Sequence, residues 1–149
     1  MRSHWVVSAL VAGLLGAGAT LYSAEKASLD GVLCVVSGKA VKADAAIDYK
    51  GGKLYFCCEG CPNAFSKNPA KYAAKANHQL ALTGQATQQK CPISGRPLNP
   101  ETGIDASGVT VTFCCNNCKG KASGVEGDAR VTMLFNDEAF AKAYEVSAP

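Results

Sequence analysis

Eight cysteines carry the only chemistry that the types and spacing of the residues announce. They stand at Cys34, Cys57, Cys58, Cys61 and at Cys91, Cys114, Cys115, Cys118. Each residue of the second set lies 57 positions after its counterpart in the first, so each set reads Cys, 22 residues, Cys-Cys, two residues, Cys. Cysteine is a rare residue, and four coincidences at one offset have a chance probability of roughly 10⁻⁵, which makes this a duplication. The same offset carries Ser37-Gly38 onto Ser94-Gly95, Ile47-Asp48 onto Ile104-Asp105, Gly51 onto Gly108 and Phe56 onto Phe113.

Thiolates grouped in this way are ligands for soft metal ions. Cys34 and Cys91 each precede a Ser-Gly turn, and the chain returns through a hairpin to the vicinal cysteines. If a helix starts there, Cys57 and Cys61 lie four apart on one of its faces, and Cys58 and Cys61 three apart. A helix start also offers free N–H groups and a positive dipole end, which lower thiol pKa values. Histidine occurs only at His4 and His78, neither with a counterpart in the other copy, so the repeated site is all sulfur. That donor set suits Cu(I) or Zn(II) and disfavours magnesium or calcium. All eight cysteines are candidate ligands, with Cys34, Cys57, Cys61 and Cys91, Cys114, Cys118 as the principal sets. Cys58 and Cys115 are fourth ligands or exchange thiols.

Each copy resembles the TRASH/YHS family of small metal-binding domains, whose pattern is a lone cysteine, a hairpin-length spacer and two cysteines four positions apart. The resemblance extends to Cys91-Pro92-Ile93-Ser94-Gly95, to Tyr49-Lys50-Gly51-Gly52-Lys53-Leu54-Tyr55-Phe56-Cys57 and to Asn68-Pro69-Ala70-Lys71-Tyr72. It implies a treble-clef or zinc-ribbon-like fold and a role in heavy-metal sensing, trafficking or resistance. The chain departs from the pattern by adding Cys58 and Cys115, and by replacing the Asn-Pro-Ala-Lys-Tyr motif in the second copy.

The elements that must position these sulfurs follow from periodicity and punctuation. Residues 41–48 and 53–56 are predicted strands joined by a turn at 49–52, where glycines permit positive φ. Residues 109–113 form the matching β-branched strand of the second copy. Helices are predicted over 59–67, from Asn68-Pro69 to about residue 76 and on toward 82, and from Asn136 to Tyr144. Residues 129–135 read as a strand, with Met133 one of its apolar residues, and Ala139-Phe140-Ala141-Lys142 echoes Ala64-Phe65-Ser66-Lys67 at an offset of 75. The expected architecture is therefore small α+β, in two tandem units of cysteine turn, β-hairpin and helix. The first unit spans 30–77, a solvated linker 78–89, and a degenerate second unit 90–146 with an insertion at about 119–138.

The start of the chain reads as an export signal. A short basic stretch precedes an apolar run over residues 5–18, and Ala17-Gly18-Ala19 supplies the small residues of a cleavage site after position 19. Cleavage after Ala24 and an uncleaved anchor over 5–22 are the alternatives, so a membrane enters only if the leader stays. A periplasmic or secreted location follows. In that oxidising setting disulfides are the rival use of the cysteines. The motifs Cys58-Glu59-Gly60-Cys61 and Cys115-Asn116-Asn117-Cys118 also admit a thiol–disulfide oxidoreductase, although no βαβ scaffold surrounds them.

The chain has 15 basic and 12 acidic residues, a net charge of +3, and its charges are interspersed. No basic stripe points to nucleic acid. The partners expected are metal ions and a metal donor or acceptor protein. No enzymatic activity is expected, and the Asp48/Asp105 pair is read as shaping the hairpins. His78 is read as a solvated linker residue.

Overall fold

The computed structural model describes residues 28–147. The expected leader and the lone His4 lie outside them. Among the described residues no helix is long and apolar enough to cross a membrane.

Two matching hairpins lead to the cysteine groups. β1 (Lys42–Tyr49) pairs antiparallel with β2 (Gly52–Phe56), and β4 (Asn99–Ala106) with β5 (Val109–Phe113). Each closes through two residues in the left-handed region, Lys50 and Gly51 in the first and Ser107 and Gly108 in the second. That turn geometry matches the right-handed twist of the strands it joins. Gly52 has a different role from the one the sequence suggests. It lies in the strand, and a Cβ there would come within 2.9 Å of Gln85 Oε1 and Leu80 Cδ2, so its bareness admits the neighbouring segment. Both hairpins slip register in their first strand, between Lys42 and Ala46 and between Asn99 and Ile104. Leu54 and Phe56, like Val111 and Phe113, alternate inward with period two and are fully buried.

The helices follow. α1 (Gly60–Lys67) leads directly to α2 (Pro69–Leu82), whose start is capped by Asn68 accepting from the Lys71 N–H, with proline in the first turn. After β3 (Ala86–Gln88) and the second hairpin come α3 (Asn116–Ser123), α4 (Gly127–Phe135), α5 (Asp137–Ala143) and β6 (Tyr144–Val146). β6 pairs with β3, so the end of the chain returns to its middle. The result is small α+β, with five helices and three two-stranded antiparallel sheets in the described residues.

Two expectations fail for identifiable reasons. Residues 129–135 are helical. Val131, Leu134 and Phe135, spaced i, i+3, i+4, are the buried ones, whereas Thr132 is exposed. Tertiary burial on one helical face overrides the β-branched propensity of Val131 and Thr132. Segment 78–89, expected as a solvated linker, holds the end of α2, in keeping with the expected run toward 82, and all of β3. Its Leu80 is fully buried in the core that also gathers Phe113, Leu134 and Phe135. A further match between the two halves lies in their helix caps. Asn136 caps α5 by accepting from the Ala139 N–H, as Asn68 caps α2, and these two asparagines lie 68 positions apart.

Three glutamines from this middle segment fasten the hairpins. Gln79 accepts from the Tyr55 N–H at 2.7 Å and donates to the Tyr55 carbonyl at 3.1 Å. Gln88 treats Thr112 in the same way, at 2.9 and 2.7 Å. Gln85 does so for Lys53, at 2.6 and 2.8 Å. Each side-chain amide thus acts as a one-residue strand that satisfies a strand edge. Buried Asn77 joins the halves, accepting from Tyr49 Oη and donating to the Phe135 carbonyl and to Asp137, which also pairs with Lys50.

Leu80→Ala is expected to cost about 3 kcal/mol of stability, the usual penalty for emptying a buried leucine site. Thr87→Ala, at an exposed position of the same segment, is expected to cost less than about 0.5 kcal/mol. Chemical denaturation of the two variants measures the difference, and a neutral Leu80→Ala would mean that the segment is the solvated linker it resembles.

Candidate metal centre

Both cysteine groups are built from three pieces of chain. The first piece is a tight turn. In the first group Cys34 accepts at its carbonyl from the Gly38 N–H and donates from its own N–H to the Lys39 carbonyl, with Gly38 at φ 71°. In the second group Cys91 does the same with Gly95 and Arg96, with Gly95 at φ 72°. The glycine is needed here, because only a residue without a Cβ enters this region freely.

The second piece is the end of the hairpin. β2 and β5 stop at Phe56 and Phe113, and Cys57 and Cys114 follow at once. The third is the helix start, which places Cys61 in the first turn of α1 and Cys118 in the first turn of α3. Cys57 and Cys61 therefore do not share a helical face. The helix begins only at Gly60, and the two sulfurs meet because a strand end and a helix start abut.

The sulfurs of Cys34, Cys57 and Cys61 all lie within 4.8 Å of one another, as do those of Cys91, Cys114 and Cys118. Cys57 and Cys61 are 3.6 Å apart, and Cys114 and Cys118 3.8 Å. A tetrahedral ion with metal–sulfur bonds of about 2.3 Å needs sulfurs about 3.8 Å apart, so the donor set fits a thiophilic ion. All eight cysteines are free thiols here. Cys58 touches Cys57 at 3.8 Å and Cys61 at 3.4 Å, and Cys115 touches Cys114 at 3.6 Å. Neither belongs to the three-sulfur groups.

The sulfurs differ in how readily they ionise. Burial pushes the Cys34 thiol up, but the backbone N–H and hydroxyl of Ser37 and the N–H groups of Cys57 and Val36 outweigh it, bringing the thiol down to about 7. Cys91 is likewise raised by burial, and Ser94, Cys114 and Ile93 bring it down to about 7. Cys61 and Cys118 go the other way, pushed up to about 12 by burial and by the sulfurs beside them. The expectation that the helix start favours thiolate thus fails for these two. Loss of water and sulfur–sulfur repulsion exceed the dipole's help, and the turn cysteine is the acidic one.

Ser37 and Ser94 are site residues that do not themselves offer a metal ligand but stand beside the sulfurs. Their hydroxyls lie 3.1 Å from Cys57 Sγ and Cys114 Sγ, and each also accepts from the backbone N–H two residues on. The signal was present in the sequence, since Ser37 and Ser94 match at the 57-residue offset. Asp105 accepts from the Gly108 N–H and Asp48 pairs with Lys53, which makes both hairpin residues. His78 is not a solvated residue. It donates from Nε2 to the Ala106 carbonyl at 2.9 Å and stands edge-on to Phe135.

The hairpins and helices, each set with a largely buried group of three cysteines, fit two tandem metal-binding units. The family model described as the YHS domain matches residues 35–76, and the two three-cysteine groups fit a metal-binding domain of the TRASH/YHS type. No curated protein and no solved structure matches the chain.

Metal affinity should weaken as pH falls, and more steeply below 7. On binding metal Cys61 and Cys118 release a proton to solvent at any ordinary pH, whereas Cys34 and Cys91 are already thiolates above about 7 and must lose a proton only below it. Competition titrations across this range should show the slope of log affinity against pH steepening by about one proton per site below pH 7. A constant slope would mean that the turn cysteines are not the acidic thiols.

Proposed function

We propose that the protein is exported and holds one thiophilic ion, copper or zinc, in each three-cysteine group, for sequestration or for transfer to another protein. The observation that carries this reading is the pair of sulfur triangles, each with two buried cysteines and one half-buried, gathered from a turn, a strand end and a helix start. Nearly identical distances at residues 57 positions apart support a duplicated unit, 3.1 Å from serine to cysteine in both. The apolar leader and its small-residue cleavage site support export. All-sulfur ligation suits Cu(I) or Zn(II), three sulfurs favouring Cu(I) and a fourth from Cys58 or Cys115 favouring Zn(II).

In this reading the role is binding rather than turnover: in both groups of the described residues the donors brought together are cysteine sulfurs, and Asp48 and Asp105 are engaged in the hairpins. The bound ion would be cargo or a structural cross-link, and a domain of this size gains stability from such a link.

Metal analysis of protein purified anaerobically tests the assignment. The native chain is expected to carry about two ions, Cys57→Ser about one, and Cys57→Ser combined with Cys114→Ser about none. Unchanged stoichiometry in the double variant would refute the ligand set. A native chain with no metal and no free thiols would establish the disulfide use of the cysteines instead.

A further inference from the structure

The first centre has four sulfurs rather than three, and they are arranged unequally. Cys57, Cys58 and Cys61 form a triangle with sides of 3.8, 3.6 and 3.4 Å. Cys34 closes a different triangle on the same Cys57–Cys61 edge. One triangle is capped by a buried sulfur, Cys34, and the other by an exposed one, Cys58. The second centre differs. Cys115 is half-buried and packs against the apolar core of its half, with its sulfur 3.6 Å from Cys114 and also facing Cys118, whereas Cys58 is exposed.

We infer that Cys57, Cys58 and Cys61 form a second, solvent-side position for the ion of the first centre, reached by exchanging Cys34 for Cys58. In the second centre the corresponding sulfur, Cys115, is held half-buried against the core, so that centre exchanges more slowly and retains its ion. This rests on the metal-holding reading and assigns the two centres different parts in it.

The exchange is balanced. As the metal–sulfur bond to Cys58 forms, the Cys58 thiol gives its proton to water. As the bond to Cys34 breaks, that sulfur keeps its electron pair and can take a proton back from water. The ion keeps its oxidation state, and Cys57 and Cys61 hold it throughout. From the outer position an acceptor carrying soft thiolate ligands can attack without entering the core, and each step replaces a single sulfur.

The test uses the full chain, loaded anaerobically with Cu(I) and challenged with an excess of a chromophoric Cu(I) chelator. Cys114→Ser isolates the first centre and Cys57→Ser the second. The first centre is expected to release its ion about tenfold faster than the second, and adding Cys58→Ser to the Cys114→Ser chain should remove that advantage while the ion stays bound. Adding Cys115→Ser to the Cys57→Ser chain should change the rate of the second centre by less than about twofold.

Equal rates in the two centres, or a first-centre rate indifferent to Cys58→Ser, would overturn the inference and leave metal binding intact. Loss of the ion on Cys58→Ser would also overturn it, by making Cys58 a fixed ligand. A chain that takes up no Cu(I) in either background would end the metal-holding reading, and this inference with it.

Discussion

Three sulfur atoms held within 4.8 Å of one another and largely out of water cannot all carry charge. That constraint organises both halves of the molecule. Without a cation, one sulfur in each group ionises easily, the turn cysteine near 7, and another keeps its proton to about 12. A soft cation removes the conflict by taking the place of the protons. The elements around each group hold the sulfurs close despite their repulsion. A glycine turn presents one sulfur, a hairpin delivers the second, and a helix start the third.

The hairpins are the least self-sufficient of these parts, because a two-stranded sheet is marginal alone. Here the outer strands are fastened by side-chain amides from the middle of the chain. Gln79 and Gln88 each bond both backbone groups of the residue two places before Cys57 or Cys114. α2 and β3 are thus the frame on which both sulfur-bearing strands hang. Buried Leu80 and Asn77 and half-buried His78 join that frame to the second half through packing and hydrogen bonds.

Much of the site could be read from the amino-acid order alone. Cysteine spacing identified the two groups, the glycines of residues 49–52 marked the first turn, and Asn68-Pro69 and Asn136 marked helix starts. Each of these signals is local and acts through a residue's own chemistry. What stayed hidden depended on contacts distant in sequence. The polar stretch 78–89 looked like a linker because glutamine is ordinarily a surface residue, yet Gln79 and Gln85 are buried with their amides fully engaged. Residues 129–135 looked like a strand because Val131 and Thr132 are β-branched, and only the partners of Leu134 and Phe135 decide for helix. The acidity of Cys34 over Cys61 likewise depends on which N–H groups surround each sulfur.

X-ray absorption at the metal edge, on protein isolated anaerobically with its native metal, addresses the central claim most directly. The account predicts a shell of sulfur alone, three or four atoms at about 2.3 Å, with no nitrogen or oxygen contribution. A shell dominated by nitrogen or oxygen, or one with a single sulfur, would contradict it.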